Sequence, residues 1–130
     1  MKILIIDDSS SARTYTTNCL ESCFGINKPE IVTASEGPEA IKILENQTDF
    51  CLIISDLMMP LVGGKKLLAK LQANEMTKNI PVIFVTAQSD TGAKDEDLIK
   101  LGARAVLGKP IDKTKLLKVL LKLNLLDTGW

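Results

Sequence analysis

Five polar residues stand where short apolar runs stop. Asp7 and Asp8 follow ILII, Asp56 follows LIIS, Thr86 follows VIFV, and Lys109 follows AVLG and precedes Pro110. Three carboxylates drawn into one crevice cannot all stay ionised without a cation. A site made of oxygens, in a chain with no histidine, suits Mg²⁺, which takes carboxylates, a carbonyl and waters. Thr86 and Lys109 would add a hydroxyl and an ammonium. A metal and cations around equatorial oxygens, with an in-line nucleophile, are what phosphoryl transfer requires, and a carboxylate can be that nucleophile by forming an acyl phosphate.

Singly, each residue has a plainer use. Asp8 or Ser9 could cap a helix, Asp56 could sit in a turn, Thr86 could end a strand, and Lys109 could be a solvated lysine. What sets them apart is their common position at the ends of apolar runs.

Those runs fall at 3–6, 31–34, 51–54, 82–85 and 105–107. They are continuous rather than alternating, the pattern of strands buried on both faces of a parallel sheet. Amphipathic stretches lie between them. The first carries Ala12, Tyr15, Cys19, Leu20, Cys23 and Phe24 and is opened by Ser9 or Ser10. The second begins near Pro38 and holds Ala40, Ile41 and Leu44. The third follows Gly63 and Gly64 with Leu67, Leu68 and Leu71. The fourth, over 91–101, is polar except for Leu98, Ile99 and Leu101, and so is thinly anchored. The fifth starts at Asp112 and is rich in leucine. Five βα units with right-handed crossovers predict an α/β fold: a flavodoxin-like, doubly wound five-stranded parallel sheet of order 2-1-3-4-5 with five helices. Ligands of such sheets bind beyond the carboxyl ends of the strands, where the order reverses between strands 1 and 3. Strands 1, 3, 4 and 5 each deliver a polar group to that edge, whereas strand 2 offers only Ala34 and Ser35.

Composition narrows the function. The 130 residues suit a single domain spanning 1–130, and 45% hydrophobic content can build a core. Sixteen basic and sixteen acidic residues leave no charge footprint for nucleic acid or an anionic membrane. The four apolar residues before Asp7 are too few for a signal peptide or a membrane span. Cys19, Cys23 and Cys51 lack metal-ligand spacing and read as free thiols in a reducing, cytoplasmic setting, with Cys51 a small core residue. The missing histidine removes imidazole acid–base chemistry and most zinc sites.

The motifs IIDDS at 5–9, SDLMMP with GG at 55–64, VTA at 85–87 and GKP at 108–110 closely resemble those of the CheY-like receiver domains of two-component response regulators. The resemblance covers essentially the whole chain. It implies that Asp56 is the phosphoacceptor. It also implies that Asp8, Asp56 and the Met58 backbone carbonyl hold Mg²⁺, with Asp7 helping directly or through water, and that Thr86 and Lys109 bind phosphoryl oxygens. In this family the peptide corresponding to Lys109–Pro110 is often cis. The donor would be a phosphohistidine on a histidine kinase or a His-containing phosphotransfer protein, in keeping with the absence of histidine here. The protein would be a switch, a monomer or weak dimer, that catalyses only its own phosphorylation and slow dephosphorylation and signals to a downstream protein, as in chemotaxis or a phosphorelay.

The chain departs from the family pattern in places. Val106 stands where an aromatic usually swings inward with the threonine, and a β-branched residue cannot do that. Met58 replaces a frequent polar residue, and Gly63 a frequent acidic one. Gln88, two past Thr86, could position the hydrolytic water, so Met58 and Gln88 together would set the lifetime of the phosphorylated state. The fifth helix, with leucines around more than half its circumference, either closes the core against the first helix or carries a docking patch.

Other readings make different demands. A Mg²⁺-dependent phosphatase would place a second aspartate two residues past its nucleophile, where this chain has Met58. A flavodoxin-like cofactor binder would need a phosphate loop where DDSSSAR puts two carboxylates. A receiver excised from a longer protein is a third reading, although the Met1 start and the short LLDTGW tail lean towards a complete chain.

Overall fold

The computed structural model describes residues 1–59, 61–87 and 95–126. Five strands and five helices alternate: β1 (Lys2–Ile6), α1 (Ser10–Phe24), β2 (Glu30–Ala34), α2 (Gly37–Asn46), β3 (Leu52–Asp56), α3 (Gly64–Gln72), β4 (Val82–Thr86), α4 (Asp95–Lys100), β5 (Ala105–Gly108) and α5 (Lys113–Lys122). The strands form one parallel sheet in the order β2-β1-β3-β4-β5, the flavodoxin-like order expected from the sequence.

Alternation along the strands divides the core into two layers. Leu4, Ile6, Ile53, Val82 and Phe84 face the cluster that includes α2, α3 and α4 residues such as Leu44, Leu67, Leu68 and Leu98. Ile3, Ile5, Leu52, Ile54, Ile83, Val85 and Leu107 face the cluster built with Leu20 of α1 and Leu116 and Leu120 of α5. The central strands β1 and β3 are buried almost throughout, as continuous apolar runs require.

β2 departs from that expectation. At the sheet edge, where the predicted order also put it, Glu30 and Thr33 are exposed and only Ala34 is fully buried. Helices cover an edge strand incompletely, and a β-branched run reads the same in either position. Cys51 likewise is half-buried just before β3 rather than inside the core. All three cysteines are free, and burial pushes each thiol above its ordinary pKa.

Helix starts follow local chemistry. Ser9 caps α1 by accepting the Ala12 N–H at 3.2 Å, Pro38 sits in the first turn of α2, and Asp112 caps α5 by accepting the Thr114 N–H at 2.8 Å. Gly64 opens α3 because a Cβ there would lie 2.8 Å from Phe84 Cε1 and 3.1 Å from Leu57 Cα. On α5, Leu116 and Leu120 are buried, Leu117 and Val119 half-buried, and Leu121 exposed. Closing the core therefore accounts for most of the leucine surplus. The described α4 is shorter than the expected 91–101; Pro60, Gln88, residues 91–94 and the tail 127–130 lie outside the described residues. No described helix is long and apolar enough to cross a membrane.

Candidate functional site

Register brings the acids together. Ile6 pairs with Ser55 across β1 and β3, so Asp7, just past β1, comes level with Asp56, the last residue of β3. Asp56 in turn pairs with Val85, and Thr86 pairs with Gly108, which sets Lys109 one residue beyond β5. The expectation that Asp56 and Thr86 follow their strands shifts by one step, since each ends its strand instead. Side-chain alternation then sorts the group. Asp7 continues the row of Ile3 and Ile5, Asp56 that of Leu52 and Ile54, and Lys109 that of Leu107. All three emerge on the side of α1 and α5. Thr86 continues the row of Val82 and Phe84 on the other side.

The Lys109 ammonium lies between two carboxylates, 2.9 Å from Asp7 Oδ2 and 3.3 Å from Asp56 Oδ2. Both acids are buried, at 4% and 6% exposure, and the lysine is what compensates them. Burial pulls the Lys109 pKa down, but the two carboxylates outweigh it and the ammonium stands above its ordinary value. For Asp56 burial is the largest influence and pushes its pKa up; the Asp7 charge adds to the rise, while Lys109 and the Met58 N–H oppose it. The Met58 N–H donates to Asp56 Oδ1 at 3.3 Å. The Lys109–Pro110 peptide is cis, as the resemblance implied.

Asp7 is held at every polar atom. Its N–H donates to Ala34 O at 3.1 Å, its Oδ1 accepts the Ser9 N–H at 2.9 Å, its Oδ2 meets Lys109, and its backbone oxygen accepts Arg13 Nη1 at 2.7 Å. Asp8, by contrast, is exposed, and among the described residues its carboxylate has no hydrogen-bond or ion-pair partner. One carboxylate oxygen each from Asp7, Asp8 and Asp56 lie within 4.8 Å of one another. A hard-oxygen donor set this compact fits Mg²⁺. Thr86 sits at the same sheet edge; its backbone oxygen accepts the Lys109 N–H at 2.9 Å, and its hydroxyl lies 3.4 Å from Ala87 O.

Met58, two residues past Asp56, is 61% exposed, and Leu61, also exposed, holds a positive φ of 70° in the loop that follows. Val106 is half-buried against the cluster that includes Phe84 and Leu98, as befits an aliphatic residue with one fixed position. Arg13 is the residue that sequence reasoning missed. The signal was its place early in α1, because helical side chains lean towards the N-terminus and so back to the end of β1.

The fold and the acidic edge together define an α/β domain of receiver type. The family model of the response regulator receiver domain matches residues 3–121, and the chain belongs to that family. It is 45% identical over 93 residues to the probable transcriptional regulator ycf29 of Pyropia yezoensis, covering 69% of this chain and 40% of that protein. It thus spans less than half the length of that curated relative. It is 32% identical over 112 residues to the chemotaxis protein CheY1 of Helicobacter pylori, covering 85% of this chain and 86% of that one. The structure of the chemotaxis response regulator CheY4 of Vibrio cholerae superposes with a TM-score of 0.78 at 29% identity, over 94% of this chain and 97% of that one.

Proposed function

We propose that this receiver is a phosphorylation switch that takes a phosphoryl group on Asp56 and signals by protein contact. The observation that carries the reading is the Lys109 ammonium set between the buried carboxylates of Asp7 and Asp56, with Asp8 beside them. A carboxylate oxygen of Asp56 attacks the phosphorus of a phosphohistidine on a histidine kinase or phosphotransfer protein. The P–O bond forms as the P–N bond breaks, and the departing imidazole keeps the bonding pair. Lys109, already 3.3 Å from Asp56, follows the negative charge outward onto a phosphoryl oxygen. The Thr86 hydroxyl serves another oxygen from the next strand end. Asp8, Asp56 and the Met58 carbonyl, with Asp7 directly or through water, would hold Mg²⁺, which supplies positive charge against the phosphoryl oxygens.

The reaction is confined to the chain's own Asp56, so the protein is a switch rather than an enzyme for outside substrates. The whole stretch 1–130 acts as one receiver unit, in the cytoplasm, and its output is a downstream protein that reads the phosphorylated surface. Incubation with a small acyl phosphate and Mg²⁺ tests the core of this. Wild type acquires label and Asp56→Asn does not; an unlabelled wild type, or equal label on the variant, overturns the assignment.

A further inference from the structure

Asp7 and Asp8 are neighbours with opposite fates. Asp7 is fixed by four separate contacts, while the Asp8 carboxylate has no partner among the described residues. Among the described residues, the backbone alone therefore aims Asp8. The peptide joining the two residues is planar, so whatever holds its oxygen holds the plane from which Asp8 departs. That oxygen accepts Arg13 Nη1 at 2.7 Å, the shortest contact Asp7 makes.

A plainer use for Arg13 would be to tie the first turn of α1 to β1. The helix start, however, already has its own fastenings. The Ser9 N–H, at the cap of α1, donates to Asp7 Oδ1 at 2.9 Å and so ties the helix start to the end of β1 without Arg13. Charge argues in the opposite direction from position. A half-buried guanidinium close to a cation site repels the cation, so an arginine acting through charge alone would weaken binding.

We propose that Arg13 is a positioning residue: by holding the Asp7 carbonyl it aims the carboxylate of Asp8 at the divalent cation. The inference rests on the reading of Asp8 as a metal ligand. Residues that hold a ligand in place commonly contribute an order of magnitude or more to metal affinity.

The test is Mg²⁺ titration of the full chain, by calorimetry and by metal-dependent melting, for wild type, Arg13→Gln, Arg13→Lys, Asp8→Asn and the Arg13→Gln/Asp8→Asn pair. Arg13→Gln is expected to weaken Mg²⁺ binding about tenfold. Arg13→Lys, which keeps a donor on a long stem, recovers part of the loss. The defect in acyl phosphate labelling lies in its Mg²⁺ dependence and recovers at saturating Mg²⁺. In the Asp8→Asn background, Arg13→Gln adds nothing further, because the two act through one contact. Unchanged or tighter binding by Arg13→Gln overturns the inference, as does an equal loss with and without Asp8. A wild-type chain that binds no Mg²⁺ overturns the reading of the site as well, whereas a wild type that binds alongside an unaffected Arg13→Gln overturns the inference alone.

Discussion

Met58 stands two residues past Asp56, 61% exposed, with its N–H tied to the Asp56 carboxylate. A thioether is at best a weak acceptor and cannot steer a water towards phosphorus. The acyl phosphate proposed on Asp56 should accordingly be long-lived, and Met58→Asn should shorten it several-fold. Loss of label after removal of the donor, in constant Mg²⁺, measures this; an unchanged half-life would show that Met58 plays no part in it. At this scale much of the site was legible in the sequence. Asp7, Asp56 and Lys109 could be placed because a carboxylate or an ammonium at the end of an apolar run has few structural uses. Arg13 could not, because an arginine among serines and threonines reads as a solvated helix face. Its role depends on a backbone oxygen, which no residue pattern records. The inequality between Asp7 and Asp8 was hidden for the same reason, since the contacts that fix Asp7 come from four different places in the chain.

Among the elements, α4 has a single buried side chain in its described part. Its described turn spans Asp95–Lys100 and places Leu98 in the core with no exposure, while Ile99 and Leu101 are 46% and 49% exposed. Thin anchoring makes an element prone to local opening. Leu98→Ala should cost about 3 kcal/mol, the usual range for emptying a fully buried leucine site. It should also speed amide exchange across 96–102 more than in α5, where Leu116 and Leu120 both lie buried. Exchange that rises equally in both helices would mean that α4 opens only with the whole fold. The sparse apolar spacing of this helix was visible in the sequence, and so were the starts of α2, α3 and α5, because proline, glycine and aspartate fix helix beginnings locally. The partial exposure of β2 could not be read from its residues, although the predicted order 2-1-3-4-5 already put it at the sheet edge. Burial of a strand depends on which helices cross it, and Ile31, Val32 and Ala34 would serve equally well in the middle of a sheet. Strand ends slipped by a residue at Asp56 and Thr86 because the ladder continues as long as backbone partners remain, whatever the side chain.

For the molecule as a whole, the acidic edge is a cost to the metal-free fold. Burial and the Asp7 charge both oppose ionisation of Asp56, and one lysine compensates two buried carboxylates while Asp8 remains unpaired among the described residues. A cation that binds the folded chain and not the unfolded one relieves that cost and raises stability by mass action. At a Mg²⁺ concentration a hundred times its dissociation constant, the gain is about 2.7 kcal/mol. For a domain of this size that corresponds to a rise in Tm on the order of 10 °C. Melting in increasing MgCl₂, against NaCl at matched ionic strength, separates site binding from general screening of the acids. The Mg²⁺-specific rise should be large in wild type and much reduced in Asp8→Asn, which loses the exposed member of the acidic trio, a carboxylate without a partner among the described residues, but none of the contacts that hold Asp7 and Lys109. Equal shifts in the two salts would mean that the crevice is merely screened. Equal Mg²⁺ shifts in wild type and Asp8→Asn would place the ion elsewhere on the chain.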